Sequence, residues 1–345
     1  MDDIDPIVKK IQKINLATYS VFKTLCEENH LHFFAISGTA LGVELWNGFI
    51  PWDDDMDIAM PIQDFEKFRK TIAKKLPEPY AFIELPELGG KFFNKNTTLI
   101  EAPYAFSPDH YYGVFLDIVP LIGLPDEANE RAGFSSEIKR YIVEASANSR
   151  APELSPFTGQ TTQKIKKWRQ EIITKYPFGT TQYCTDLSCI KCPAYLTRGF
   201  MDPKEAKFEN TTIPISSAQS QDLATAYGKI VKHVPRAERQ LVHHNFYALC
   251  DLDKPCKEYS DSFSKQKTDK WLKDLSYKNH LFGISSAREA GLYKNYCLEL
   301  ETKIKQYQND VAALRGSSSY KLGNRILKPF SKAKDLVKNL TSRSK

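Results

Sequence analysis

Four aspartates fall within five residues, Asp53, Asp54, Asp55 and Asp57, inside the window ISGTALGVELWNGFIPWDDDMDIAM that runs from Ile36 to Met60. Side chains of an extended segment alternate between faces, so Asp55 and Asp57 are expected to project together while Met56 and Ile58 point inward. Two carboxylates aimed at one point repel each other unless a cation lies between them, which makes Asp-x-Asp on a strand a natural site for Mg²⁺ or Mn²⁺. Acid-rich runs are usually solvated turns. Here Phe49, Ile50, Trp52, Met56, Ile58 and Met60 surround the run, and acids crowded against a core are costly without a compensating function. The metal reading is therefore preferred. A third acid, Asp117, interrupts the apolar run VFLDIVPL. It is expected to be a third ligand or a general base completing the Asp55/Asp57 site, with a hydrogen-bonded strand end as the bland alternative. Ser37, Gly38 and Thr39 follow a strand and precede a helix, where small residues let backbone N–H groups and hydroxyls approach a phosphate.

With these residues in place, the run from Gly38 to Met60 resembles the signature of the LicD-type phosphotransferases, the group of bacterial phosphorylcholine transferases and fukutin-related proteins. The matching positions are Gly38, Thr39, Leu41, Gly42 and the stretch from Gly48 through Asp55, with Asp57. A second block is matched by Phe115, Asp117, Ile118, Pro120 and Leu121, and a looser third by Phe208, Pro214, Tyr227, Gly228, Pro235 and His243. The resemblance covers residues 1 to about 245. It implies a nucleotidyltransferase-like fold, a divalent metal, and transfer of a phospho-alcohol from a CDP-linked donor to a glycan hydroxyl with release of CMP. In that reading Asp55, Asp57 and Asp117 are catalytic and hold the metal. Ser37, Gly38, Thr39, Trp52, Lys91, Lys95 and His243 contact the donor, and Asp53 and Asp54 orient the loop without being ligands. For Lys91 and Lys95 a solvated strand face is the plainer explanation; for Trp52 and His243 a structural role is. Two other functions are weighed: a nucleotidyltransferase that attaches the nucleotide itself, and a non-catalytic scaffold of a polysaccharide-synthesis complex. Keeping three mutually repelling acids argues against the scaffold.

The elements that must position these residues follow from periodicity. Asp5 and Pro6 open a helix carrying Ile7, Ile11, Ile14, Thr18, Val21 and Leu25 on one stripe. Strands are expected over 31–37, 56–60, 80–85, 92–100 and 114–119, with helices over 39–46 and 63–73. The first 125 residues thus alternate helix and strand, an α+β arrangement of a small mixed sheet with packed helices. From 126 to 315 the pattern becomes mainly helical and irregular, and would complete the donor and acceptor sites. It ends in a helix over 300–314. A Ser-rich linker and a basic amphipathic tail occupy 316–345.

The chain has 345 residues, 41% hydrophobic, with 20 Phe and 17 Tyr, enough to bury a large core. The net charge of +6 does not indicate nucleic acid: from 320 onward, eight basic residues against Asp335 give +7, leaving the rest at −1. That tail, with Ile326, Phe330, Ala333, Val337 and Leu340 as an apolar stripe, is expected to touch an anionic membrane surface or to dock on a helix. The acceptor is then a glycan, free or lipid-linked. The N-terminus has no apolar h-region of a secretory signal, and seven Cys argue against a disulfide scaffold. A cytoplasmic protein, peripheral at the inner membrane face if the tail binds lipid, is expected. Cys184, Cys189, Cys192, Cys250 and Cys256 make a zinc site conceivable, but the spacing favours buried free thiols.

Overall fold

The computed structural model describes residues 5–85, 89–101, 111–150, 162–187, 189, 191–228 and 247–262, with isolated positions at 306, 309 and 313. The chain divides into two units, Met1–Phe282 and Gly283–Lys345, and every element below belongs to the first. His243, the basic tail and most of the helix expected over 300–314 lie outside the described residues.

Helix α1 (Pro6–Glu28) starts where expected, with the Ile7 N–H donating to Asp5 Oδ1 at 2.9 Å and Pro6 in the first turn. Its buried face is rotated from the expected stripe. Ile7 is 52% exposed, whereas Ile11, Asn15, Thr18, Tyr19, Phe22 and Cys26 are buried. The aromatic rings carry more apolar area than the isoleucines and decide the rotation: Phe22 packs on Phe33, Phe68 and Phe92, and Tyr19 on Phe33 and Phe208.

Strand β1 (Phe34–Ala35) is shorter than expected, because Ser37, at φ 48°, turns the chain into α2 (Ser37–Trp46). Helix α2 stops at Asn47 in the left-handed region. Strand β2 (Asp57–Pro61) begins two residues beyond Asp55, so Asp55 and Met56 precede the strand rather than belonging to it. The alternation nevertheless holds, with Met56 and Ile58 fully buried. After α3 (Ile62–Thr71) and β3 (Tyr80–Leu85), the single strand expected over 92–100 is two, β4 (Gly89–Asn94) and β5 (Thr98–Glu101). Asn94 breaks them apart, its Oδ1 accepting the Asn96 N–H in a tight turn.

Strand β6 (Phe115–Leu124) is the spine of the sheet. It pairs parallel with β2 on one side and antiparallel with β4 on the other, giving the order β1-β2-β6-β4-β3. Past residue 120, β4 ends and β7 (Tyr183–Asp186) takes its place along Leu121–Leu124. Pro120 sits at that handover, where the missing N–H breaks no ladder bond. Strand β8 (Tyr195–Leu196) extends β7.

Among the described elements after residue 125, helices predominate as expected: α4 (Ala128–Arg150), α5 (Thr162–Lys175), α6 (Thr197–Met201), α7 (Gln219–Tyr227) and α8 (Cys256–Ser262). The strands there were not anticipated. Besides β7 and β8 they are the hairpin β9 (Lys204–Phe208) with β10 (Thr211–Ile215), and β11 (Tyr247–Asp251) beside β5.

Candidate active site

Period-two alternation sorts the central strands into two faces. Ile58, Met60, Leu116, Ile118 and Ile122 point into the main core beneath α1 and α3. Ala59, Val119 and Leu121 point the other way, into a second cluster with Phe34, Ile36, Tyr195 and Phe200. Asp57 and Asp117 share this second face, and the parallel register sets them directly opposite each other. One carboxylate oxygen from each of Asp55, Asp57 and Asp117 lies within 4.8 Å of the other two. Asp53, Asp54 and Asp55 form a second such trio, so Asp55 joins all five acids into one patch.

Several elements hold the acidic loop against that face. From α1, Gln12 Nε2 donates to the carbonyls of Ile50 (3.2 Å) and Asp53 (2.7 Å), and Asn15 Nδ2 to that of Asp54 (3.0 Å). At the start of α2, the Gly38 N–H donates to Asp57 Oδ2 at 3.1 Å, while the Asp57 N–H donates to the Thr39 hydroxyl at 2.8 Å. A Cβ on residue 38 would stand 3.0 Å from Asp53 Oδ2 and 3.4 Å from Asp57 Oδ2, so glycine is what lets the helix approach the acids this closely. Gly38 and Thr39 therefore do meet the acids, and Ser37 opens the same helix.

Lys91 corrects the expectation of a solvated strand face. It is 1% exposed and in register with Asp117; its ammonium lies 2.8 Å from Asp117 Oδ1, 3.1 Å from Glu101 Oε2 and 3.4 Å from the Phe115 ring centroid. Burial opposes its charge, but the two carboxylates outweigh burial and hold its pKa above the usual lysine value. Burial, Glu101 and Asp55 push the Asp117 carboxyl up, against the pull of Lys91. Glu101 also accepts the Tyr112 hydroxyl at 2.6 Å.

Lys95 is not brought to this site. It lies one residue past β4, about 13 Å along a strand from Lys91, and pairs with Glu78 at 2.6 Å. Trp52 packs edge-on against Trp46, with centroids 5.7 Å apart. The cysteines do not form one group: Cys192 belongs to the main core, Cys184 to the second face, and Cys250 and Cys256 to a cluster around Tyr112. Among the described residues no cysteine joins a group of three metal-ligating side chains. Burial raises the Cys189 thiol to about 11 and Cys192 to about 12, as expected of inert packed thiols.

Sequence reasoning missed Glu101 and Tyr247. The Tyr247 hydroxyl donates to Asp54 Oδ2 from β11, and Tyr247 is itself the register partner of Glu101. One strand pair thus supports both ends of the acid patch: β11 through Tyr247 and Asp54, β5 through Glu101, Lys91 and Asp117. Asp54 accordingly orients the loop, the role expected for it. An all-carboxylate donor set converging on one point, with a glycine cleared to let the helix in, fits a hard divalent cation such as Mg²⁺ or Mn²⁺.

Residues 30–104, which hold the acid loop, Lys91 and Glu101, match the family model described as LicD/FKTN/FKRP, nucleotidyltransferase domain. The chain is also similar to the lipopolysaccharide cholinephosphotransferase LicD of Haemophilus influenzae, 23% identical over 260 residues that span 69% of this chain and 96% of that protein. In its acid site and in both comparisons, the chain is similar to the LicD family.

Proposed function

We propose that the chain is a transferase that moves a phospho-alcohol from a CDP-linked donor to a hydroxyl of a cell-surface glycan, releasing CMP. The observation that carries this reading is the convergence of Asp55, Asp57 and Asp117 at the N-terminus of α2. A divalent cation held by these three would neutralise the donor diphosphate and ease departure of CMP. The chain's own groups do the rest. The Ser37–Thr39 turn, at the positive end of α2, faces the donor phosphates. The glycan oxygen forms a bond to the phosphorus that carries the alcohol, the bond from that phosphorus to the CMP oxygen breaks, and CMP leaves with the electron pair. Asp117 is assigned the proton of the attacking hydroxyl as well as a share of the cation, and Lys91 holds it in place. The mixed sheet, the Gly38–Thr39 helix start and Asp-x-Asp beside β2 support a nucleotidyltransferase-like fold for this core.

The printed activity of the Haemophilus relative supports a phosphocholine-like group and a glycan acceptor. Among the described residues no helix is long and apolar enough to cross a membrane. A lipid-linked acceptor would instead be met at the inner membrane face by the +7 tail of residues 320–345. The test is to incubate the protein and Mg²⁺ with a panel of CDP-linked donors and a glycan acceptor and to follow CMP. Acceptor-dependent CMP release that stops with EDTA and in Asp55→Asn is expected. No release from any donor, or undiminished release in the variant, overturns the reading.

A further inference from the structure

The face of the sheet that bears Asp57 and Asp117 also walls a recess of about 300 Å³, open to solvent, whose inner void is about 20 Å³. Ile36, Ser37 and Ala40 form one wall, so it begins one residue from the Gly38 N–H that meets Asp57. The opposite wall is α7 with Tyr195 and Phe200. Those two rings are 3% and 4% exposed and locked edge-on, with centroids 6.0 Å apart; Phe200 is also held by Phe34 at 5.3 Å. Tyr227, 43% exposed, stands at the mouth.

Besides the hydroxyls of Ser37, Ser216, Tyr195 and Tyr227, two longer polar side chains, Gln219 and Asp222, line this space. Asp222 accepts the Leu196 N–H on Oδ1 at 3.2 Å, and Gln219 donates its Nε2 to Glu44 at 3.0 Å. Their remaining oxygens, Asp222 Oδ2 and Gln219 Oε1, are buried with no hydrogen-bond partner, on residues that are each 6% exposed. Burial raises the Asp222 pKa against hydrogen bonds from Ser216 and the Leu196 N–H, and a buried oxygen left without a partner is costly. The recess thus offers aromatic faces, one carboxylate and a spare acceptor. That combination attracts a compact cation.

We propose that this recess is the subsite for the alkylammonium head group of the transferred phospho-alcohol, with Asp222 as its counter-ion and Tyr195, Phe200 and Tyr227 as its walls. The assignment rests on the transfer reading above but is tested apart from it. Ligand-observed NMR on the full chain, in EDTA and without nucleotide, would compare choline, ethanolamine and glycerol. Choline and ethanolamine should receive saturation and glycerol should not. Asp222→Asn should weaken choline at least tenfold. Ala226→Leu, which fills the recess without removing a polar group, should abolish binding and decides the matter if Asp222→Asn does not fold. Equal signals from glycerol, no choline binding, or choline binding unchanged in Ala226→Leu would mean that the void holds only water. Choline binding without CMP release from any donor would overturn the transfer reading alone, and CMP release from polyol-linked donors alone would overturn this one.

Discussion

Two charge clusters flank the sheet, and they are built on opposite principles. Behind α3, Glu66 takes a bidentate grip from Arg69 (both contacts 2.7 Å) and a third contact from Lys70 (2.7 Å), while Glu84 meets Arg69 at 3.2 Å and Arg169 approaches both acids at 3.6 and 3.7 Å. Two carboxylates are matched by three cations. On the other face, five aspartates and Glu101 gather, and Lys91 pairs with two of these acids, Asp117 and Glu101. Where charge serves the fold, the chain supplies its own counter-ions. Where acids converge on one point, as at Asp55, Asp57 and Asp117, the arrangement suits a cation.

The comparison breaks first at Asp57. Asp57→Asn should lower CMP release by more than about 10³-fold, above roughly 4 kcal/mol in the transition state. Relief of repulsion should meanwhile leave the metal-free melting temperature unchanged or slightly higher. Near-normal turnover at saturating Mg²⁺ would make the acid patch as structural as the Glu66 cluster. Lys91→Met should act in the opposite sense, leaving Asp117 and Glu101 buried without their cation and costing about 3 kcal/mol of stability. Excess Mg²⁺ should restore more of the melting temperature in this variant than in the parent; identical thermal curves for both would show that Lys91 neutralises nothing of consequence.

A smaller effect is expected at Tyr247. Tyr247→Phe removes the hydroxyl that holds Asp54 and should weaken Mn²⁺ binding about tenfold, some 1.4 kcal/mol, measured by calorimetry on a variant whose circular dichroism is unchanged. The smallest sharpens the balanced cluster. Burial alone would raise the Glu66 carboxyl, but Arg69 and Lys70 outweigh it and hold the group below its ordinary 4.5. A depressed carboxylate stabilises the fold above its unfolded value, and the benefit is lost as pH falls through the folded value. Acid melts of Glu66→Gln should therefore lose part of the parent's pH dependence below about 4.5, by roughly 0.5 kcal/mol for so exposed a pair. Superimposable pH profiles would contradict that.

Much of the site was legible because local rules governed it. Alternation around Met56 and Ile58, the cap at Asp5 and the small residues before α2 are all readable within a few positions. What escaped depends on pairing across strands. Lys91 looks like any basic residue in GKFFNKN until β4 is laid beside β6 and its partner proves to be Asp117, 26 residues away. Glu101 and Tyr247 become neighbours only when β5 meets β11. Nothing in the spacing of Asp222, Tyr195 and Phe200 reveals that α7 closes over the same face. The stripe on α1 was legible except for Ile7 and the aromatic positions, because periodicity finds several faces and tertiary contact with Phe33, Phe68 and Phe92 sets the rotation.

The hydrogen bond from Tyr247 to Asp54 spans 193 residues of chain, and this gives the acid loop a history as well as a place. A ribosome adding roughly 5–20 residues per second needs about 10–40 s to travel from the aspartate run to the tyrosine that anchors it. For that interval the nascent chain carries its acids without the strand that steadies them. The site is finished late in synthesis, after the sheet that bears it, and a premature stop before β11 would release a chain with all five aspartates of the patch present and the loop held from α1 but not by Tyr247.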